Sequence, residues 1–206
     1  MRHSVCPNNA SRLQLLEQLF TAATHDASAA MCCWINDVIT LTLDEICELP
    51  LAQASIELNL EDKQLAMVVL DLEGALGGTM ILNFDEPNGR RLAGSLLRSP
   101  VNAGPEWSDM EISALTETGN ILCCAYINAI TRQIDRQLIP SVPHFVRDYG
   151  ANVLQQALAI HAAERNTVLM CRTRFRCENE NLDWWVMFIP AAGLRAAMEH
   201  AMQPSC

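Results

Sequence analysis

A short internal repeat is the sequence feature that most constrains the fold of this chain. Cys32, Cys33, Ile39 and Thr40 recur 91 residues later as Cys123, Cys124, Ile130 and Thr131. A repeat at such a distance indicates a domain built from two similar halves. We therefore predict one domain over residues 11–206, with half-repeats at about 11–98 and 108–203, after an N-terminal tail of residues 1–10.

Hydrophobic spacing predicts the secondary structure of the first half. Apolar residues recur three and four apart over residues 11–46, which predicts a helix that is interrupted near His25-Asp26 and closed by Pro50. Pro87 predicts the start of a further helix that runs to about Arg98. Between the two helices, three strands of an antiparallel meander are predicted at Ala54–Glu61, Leu65–Leu72 and Gly77–Phe84.

The second half opens with a loop over Ser99–Trp107 and then a capping box. Ser108 followed three residues later by Glu111 predicts the start of a long helix that ends near Asp135, before Pro140-Ser141-Val142-Pro143. The remaining predicted elements are an extended piece at His144–Arg147, a helix over Val153–Ala163, strands at Thr167–Arg176 and Leu182–Ile189, and a last helix over Ala191–Met202.

The charge of the chain excludes several classes of partner. Acidic residues outnumber basic residues 24 to 14, for a formal net charge of −10. Such a chain repels phosphate backbones and anionic lipid headgroups, so we expect no nucleic-acid partner and no membrane partner. The longest apolar runs have seven residues, far short of a membrane span, and residues 1–10 lack the apolar stretch of a secretory signal, so we expect a cytoplasmic protein.

The nine cysteines do not form a recognisable metal or disulfide pattern. Their number is odd, two pairs are adjacent, and no Cys-x-x-Cys or zinc-finger spacing with histidine occurs. We predict no metal site and mostly buried, reduced thiols that pack as small apolar side chains. The alternative is a redox sensor that uses an exposed thiol such as Cys6 or Cys206.

Three polar residues on the long helix of the second half form the candidate site. Ser113, Glu117 and Asn120 are spaced four and three apart, so their side chains are neighbours on one helix face. A carboxylate is thereby presented beside a carboxamide. The alternative interpretation is an ordinary solvated polar face.

The wider pattern resembles the CheC/CheX/FliY family of CheY-phosphate phosphatases. Ser113-x3-Glu117-x2-Asn120 is followed by twenty-two residues and Pro143, and the match includes Gly119 before the asparagine. The resemblance covers about residues 11–203. It implies a CheC-like α/β fold of the pseudo-twofold type, with a mostly antiparallel sheet of about six strands and two long motif-type helices packed on one face.

The resemblance also implies an activity, which is hydrolysis of the aspartyl phosphate on a CheY-type response regulator in chemotaxis or related two-component signalling. Asn120 and Glu117 are then the expected catalytic residues, with Ser113, Gly119 and Pro143 as supporting motif positions. Asn120 would position the attacking water, and Glu117 would pair with a lysine of the receiver. The chemistry suits an amide, because an aspartyl phosphate needs mainly an oriented water.

Partners and cofactors follow from the same resemblance. The implied partner is a phosphorylated CheY-type receiver domain, and a CheD-type deamidase is a further candidate. We expect no cofactor on this chain and Mg²⁺ on the receiver. The alternative function is a non-catalytic binding or adaptor protein like the flagellar switch proteins, which are expected to lack the Glu/Asn pair.

The first half departs from the pattern of family members with two sites. Counting back from Pro50 places Thr24 and Ala27 at the two motif positions, and the 91-residue offset places Asp26 and Ala29 there. Neither choice supplies an asparagine. The first helix is therefore interpreted as structural.

Two further features lie on the predicted strands of the second half. Arg172, Arg174 and Arg176 would share one face of a strand, where pairing with carboxylates such as Glu57 or Glu61 is favoured over a docking surface for an acidic partner. Trp184-Trp185 would place one ring on each side of its strand, with at least one in the core.

Overall fold

A computed structural model of the chain describes residues 7–57, 64–74, 76–161, 167–177 and 180–202. Within those ranges the chain forms six helices and seven strands. In chain order they are α1 (Pro7–Ile35), β1 (Ile39–Pro50), α2 (Leu51–Glu57), β2 (Gln64–Glu73), β3 (Gly78–Asp85), α3 (Glu86–Leu97), α4 (Asp109–Ile134), β4 (Ile139–Pro140), β5 (His144–Tyr149), α5 (Gly150–His161), β6 (Thr167–Cys177), β7 (Glu180–Pro190) and α6 (Ala192–Ala201).

The same order of elements occurs twice along the described chain. Helix, strand, helix, strand, strand and helix run from α1 to α3 and again from α4 to α6, with β4 and β5 together in the place of β1. Ile35 and Ile134, the last residues of α1 and α4, lie 99 residues apart, as do Pro50 and Tyr149, the last residues of β1 and β5. The structural repeat is thus longer than the 91 residues of the sequence match.

The sequence match at an offset of 91 is therefore wrong as an alignment of the two halves. Ile39-Thr40 begins strand β1, whereas Ile130-Thr131 lies inside helix α4. Residues that are equivalent in a structural repeat have the same backbone conformation, which these two pairs do not have. The four identities are therefore not structurally equivalent positions.

One sheet contains strands from both halves of the chain. Its strand order is β1-β6-β7-β3-β2-β4, β5 also pairs with β2, and every pairing between described strands is antiparallel. Strand β1 of the first half pairs with β6, and strand β5 of the second half pairs with β2. The predicted antiparallel α/β fold is confirmed, with seven described strands in place of about six.

Helices cover both faces of the sheet. The larger core lies under α1, α3, α4 and α6, and it contains buried residues such as Phe20, Val68, Leu122 and Trp184. The smaller core lies under α2 and α5 and contains Ala54 and Leu154. The two long helices α1 and α4 therefore pack on the same face, as predicted.

The predicted extension of the first helix to Ile46 is wrong, because α1 ends at Ile35 and the chain enters β1 at Ile39. Asn36 adopts a left-handed conformation with φ of 55°, which ends the helix. Alternating burial at the start of β1 then matches one sheet face, with Ile39 and Leu41 in the core. The helix begins at Pro7, within the predicted tail, and continues without interruption through His25-Asp26.

The predicted strand at Ala54–Glu61 is also wrong where the structure describes it. Leu51–Glu57 is helix α2, and residues 58–61 lie outside the described residues. Ala54 is buried, whereas Ile56 is 79% exposed, so the apolar alternation does not define one buried strand face. The other predicted helices and strands are confirmed, with residues 162–163 of the helix predicted over Val153–Ala163 outside the described part.

Among the described residues, the helices lack the combination of length and apolarity that a bilayer crossing requires.

Candidate functional site

Helix α4 begins with the capping box predicted from Ser108 and Glu111. The Ser108 side-chain oxygen accepts the Glu111 backbone N–H at 3.3 Å, and the Glu111 carboxylate accepts the Ser108 backbone N–H at 2.8 Å. Both bonds satisfy backbone donors that have no partner within the helix. The start of the helix that carries the candidate residues is thereby fixed.

The Glu111 carboxylate is itself buried and held by three neighbours. Asn102 donates a hydrogen bond to it at 2.9 Å, the Ser108 hydroxyl donates at 2.8 Å, and the Arg90 guanidinium lies 3.5 Å away. Burial, the largest single influence, raises the pKa of Glu111, but the hydrogen bonds from Asn102 and Ser108 and the charge of Arg90 together hold that pKa below its usual value. Glu111 is therefore a charged structural residue at neutral pH.

Gly119 lets α4 approach the sheet closely. A Cβ atom built at this position would lie 2.5 Å from Cγ1 and 2.8 Å from Cβ of Val68, at the buried centre of β2. Side chains larger than hydrogen do not fit in that space. Gly119 lies between Glu117 and Asn120 in the sequence, and it thus sets the distance between this part of α4 and the sheet.

About two turns beyond Gly119, a buried hydroxyl group ties α4 to its neighbours. The Tyr126 hydroxyl lies 2.9 Å from Oγ1 of Thr24 on α1 and 3.2 Å from Oγ1 of Thr173 on β6. The Tyr126 ring also packs against Phe20, with the ring centroids 4.7 Å apart. These contacts fix α4 against both α1 and the sheet.

The face of α4 that points away from the sheet carries the predicted residues. Ser113 is exposed, and Glu117 and Asn120 are half-buried. The same face continues through Cys124, which is half-buried, to Asn128, which is exposed. The structure thus brings Ser113, Glu117 and Asn120 together on one outer face, as their spacing predicted.

Asn120 has a neighbour that was not predicted from the sequence. The Sγ atom of Cys124 lies 3.5 Å from Oδ1 of Asn120 and donates a hydrogen bond to it. Burial, and secondly the negative charge of Glu117, raise the pKa of the Cys124 thiol. The spacing of four residues was the available signal, since it makes the two side chains neighbours on a helix.

Pro143 lies in the loop between β4 and β5, and that loop is attached to β2. The Ser141 backbone N–H donates to the Asp71 carbonyl at 2.8 Å, and the Asp71 N–H donates to the Ser141 hydroxyl at 3.0 Å. Pro143 is half-buried, and the intervening Val142 is 85% exposed. The motif residues therefore occupy two places, the helix α4 and this loop.

Comparison with known proteins identifies a relative by sequence. No family model matches the chain. CheC1 of Halobacterium salinarum, a candidate CheY-P phosphatase, is 32% identical over 91 residues, which make up 44% of this chain and 46% of CheC1. The match thus spans less than half the length of that relative.

Solved structures share the fold over most of the chain. FliY of Thermotoga maritima superposes with a TM-score of 0.74 at 12% identity, over 97% of this chain and 98% of FliY. The FliM middle domain of H. pylori gives 0.67 at 12% identity, over 94% and 98% of the two chains. CheX of Desulfovibrio desulfuricans gives 0.51 at 10% identity, over 85% and 99%.

The chain is similar in fold to FliY and CheX, and over 91 residues it is similar in sequence to CheC1. Its match to CheC1 supplies the sequence relation, and the FliY and CheX structures supply the shared fold.

The first half of the chain lacks the Glu/Asn pair in the structural alignment as well. At the 99-residue offset of the helix ends, Gln18 and Thr21 of α1 correspond to Glu117 and Asn120. The positions predicted from sequence counts were therefore wrong. The prediction that the first half has no asparagine at the second position holds for Thr21 as well. Phe20 takes the place of Gly119, and its buried ring packs on Tyr126.

Asp26, the carboxylate that the sequence offset placed in the first motif, has a different partner. Its Oδ2 atom lies 3.5 Å from the Arg132 guanidinium of α4. The Asp26 side chain is 60% exposed and the Arg132 side chain is 64% exposed. Ion pairs this exposed contribute little to stability.

Arg172 and Arg174 of β6 pair with carboxylates on neighbouring strands, which confirms the predicted type of contact. Nε of Arg172 donates to Asp183 on β7 at 2.9 Å, and Arg174 lies 2.6 Å from Asp44 on β1. The predicted partners were different, namely Glu57, which lies on α2, and Glu61, which is outside the described residues.

The two adjacent tryptophans lie on opposite faces of β7. Trp184 is buried in the larger core against Phe84 and Phe175, and the half-buried Trp185 packs against the smaller core with the Arg172 guanidinium 5.9 Å from its ring centroid. The predicted placement of one ring on each side is confirmed.

The described cysteines form no disulfide with one another, and Cys123, Cys171 and Cys177 are buried. Among the same residues, no three His, Cys, Asp or Glu side chains converge in a group that could hold a metal ion. Cys6 and Cys206, the predicted candidates for redox sensing, lie outside the described residues.

Proposed function

We propose that this chain is a phosphatase that hydrolyses the aspartyl phosphate of a CheY-type receiver domain. Asn120 and Glu117 are the proposed catalytic pair, with Ser113, Gly119 and Pro143 in support. The proposal is supported by the sequence relation to CheC1, whose name assigns it CheY-P as a candidate substrate.

The position of Asn120 is the observation that carries the proposal. Its half-buried side chain projects from the outer face of α4, and the backbone beneath it is fixed by the close contact between Gly119 and Val68. A side chain held on a fixed helix can enter a pocket of a partner without losing much conformational freedom. An asparagine so placed suits a reaction in which the partner brings the phosphoryl group.

The chemistry requires little beyond orientation. The receiver would supply the phosphorylated aspartate and its Mg²⁺, and in phosphoryl transfer the remaining task is to place the attacking water in line. The Asn120 amide would hold that water by hydrogen bonds, without gaining or losing a proton. Positioning of this kind is typically worth a factor of about 10²–10⁴.

Glu117 would act on the partner and not on the water. It lies one turn before Asn120 on the same face of α4 and is half-buried. Pairing with a receiver lysine would align the helix on the receiver, because an intermolecular ion pair fixes orientation and speeds association.

The test is the lifetime of a phosphorylated receiver in the presence of Asn120→Ala. Candidate CheY-type receivers are phosphorylated with a small-molecule donor, and the rate of phosphate loss is measured across a range of receiver concentrations. Asn120→Ala should lower the maximal rate by about 10²-fold or more with little change in receiver binding. Asn128→Ala is the matched control, because it removes the same amide from an exposed position two turns along the same helix face.

A non-catalytic binding role is the second candidate, because the fold is also that of the FliM middle domain. FliM superposes on this chain with a TM-score of 0.67, between the 0.74 of FliY and the 0.51 of CheX. Under this alternative the chain would bind a receiver without shortening the lifetime of its phosphate. If a folded Asn120→Ala variant matches the wild type in every rate, the proposed phosphatase site is wrong and the binding role takes its place.

A further inference from the structure

We propose that Cys124 is a positioning residue for Asn120, whose thiol holds the carboxamide in one orientation by donating a hydrogen bond to its oxygen. This inference rests on the proposed function of Asn120. It adds a residue that the family motif does not contain.

The geometry selects Cys124 from the neighbours of Asn120. Its Sγ atom lies 3.5 Å from Oδ1, one helical turn beyond Asn120, and it is half-buried on the same outer face of α4. Thr116 and Thr118 on this helix direct their hydroxyls to the backbone carbonyls of Ile112 and Ala114, four residues earlier. Cys124, by contrast, donates to the side chain four residues before it.

The orientation of the amide has a chemical consequence. A carboxamide can turn either its oxygen or its NH₂ group toward a neighbour, and the two ends form opposite kinds of hydrogen bond. With the oxygen turned toward the Cys124 thiol, the NH₂ group is turned away from that thiol, and the oxygen keeps a second lone pair. Asn120 can then approach the partner with one fixed pattern of donor and acceptor.

The protonation state of Cys124 supports this orientation. Burial and the charge of Glu117 both raise the thiol pKa, so the sulfur carries its hydrogen at neutral pH and acts as a donor. A thiolate would instead attract the NH₂ group and reverse the amide. Glu117 thereby also contributes to the orientation of Asn120.

Kinetics of three variants test the positioning role. Cys124→Ala removes the donor and should lower kcat for receiver dephosphorylation by about twofold to tenfold with KM unchanged, because only one weak hydrogen bond is lost. Cys124→Ser keeps a donor at the same place and should stay within about twofold of the wild type. Cys33→Ala is the matched control, since it removes an exposed thiol from the other long helix and should change neither constant.

Infrared spectroscopy tests the hydrogen bond without any receiver. The S–H stretching band of Cys124 is obtained as the difference between the wild type and Cys124→Ser, and a hydrogen-bonded thiol absorbs at lower frequency than a free one. Asn120→Ala should move that band to the frequency of a free thiol, while thermal melting confirms that each variant is folded.

The two readouts separate the failure of this inference from the failure of the proposed function. Equal kcat for Cys124→Ala and wild type, or an equal loss in Cys124→Ser and Cys124→Ala, would overturn the positioning role while leaving the phosphatase in place. If the frequency of the Cys124 S–H band is unchanged in Asn120→Ala, the hydrogen bond between the two side chains is refuted. If the wild type dephosphorylates no receiver, the positioning role falls together with the proposed function, whatever the band shows.

Discussion

Gly119 on α4 lies directly against Val68 on β2, so that a Cβ atom at position 119 would meet Cγ1 of Val68 at 2.5 Å. Val68 is fully buried in the sheet and cannot move aside. The outer face of the helix carries Glu117 and Asn120, and its inner face is fixed by this contact. Packing inside the domain therefore determines where the candidate residues are presented.

Gly119→Ala should destabilise the protein and lower its activity together. Alanine gains about 1 kcal/mol in helix propensity, but overpacking of a close contact costs typically about 1–3 kcal/mol and displaces the helix. The free energy of unfolding is measured with urea, and the phosphatase rate is measured in the same variant. Adding Val68→Ala should restore only part of both, because it removes the two methyl groups of Val68 but keeps its Cβ, which lies 2.8 Å from the new Cβ. A single variant as stable and active as the wild type would contradict the contact.

Glu117→Ala should raise KM for the phosphorylated receiver by about twofold to tenfold, the range expected for a partly exposed intermolecular ion pair. It should also reduce the dependence of KM on salt concentration, because the substitution removes a charge pair that salt would otherwise screen. Glu17→Gln is the control, because it removes one negative charge from an exposed position on α1. The measurement is the rate of dephosphorylation at several salt concentrations, and an unchanged salt dependence would count against the pair.

Glu111 should make the stability of α4 depend on pH. Its pKa in the folded protein lies below the ordinary value of 4.5, so its stabilising effect is present above that value and is lost as pH falls through the lowered pKa. Glu111→Gln should therefore be less stable than the wild type by about 1–3 kcal/mol at neutral pH. The difference, measured by urea unfolding, should narrow below about pH 4. A difference that stays constant down to pH 3 would show that charge is not involved.

The buried cysteines should be inert to thiol reagents in the native protein. Burial raises the pKa of Cys123 to about 12 and raises that of Cys171 as well, so both remain thiols, and both are inaccessible. Labelling at neutral pH followed by mass spectrometry should find the exposed Cys33 modified in the native protein and these two modified only after unfolding. Fast native labelling of Cys123 or Cys171 would revive the redox-sensor alternative.

The sequence was informative where local signals agreed with the tertiary structure. The capping box at Ser108 and Glu111 and the helical spacing of apolar residues predicted α4 and placed Glu117 and Asn120 on its outer face. The spacing of apolar residues failed near Asn36, because one residue in a left-handed conformation separates α1 from β1 and leaves no signal in that spacing. It failed again over α2, where residues 54–57 fit either a strand or a helix and tertiary packing decides.

Contacts between side chains were beyond the reach of the sequence. The hydrogen bond from Cys124 to Asn120 depends on two rotamers, and the pairing of Arg174 with Asp44 depends on the irregularity in β1 between Leu43 and Glu45. The true offset of the repeat also required the ends of the helices, since the identities at 91 residues misalign a strand with a helix.

Asp26→Ala should leave receiver dephosphorylation nearly unchanged. The carboxylate pairs with Arg132 at 3.5 Å on the surface, and the structural equivalents of Glu117 and Asn120 in α1 are Gln18 and Thr21. A lone carboxylate without an adjacent amide has no means of orienting a water, and an exposed ion pair contributes at most about 1 kcal/mol to stability. The rate of phosphate loss and the free energy of unfolding are measured together, with Arg132→Ala as the matched variant that breaks the same pair. A loss of activity greater than about tenfold in Asp26→Ala, roughly 1.4 kcal/mol in the transition state, would show that the first half contributes to catalysis.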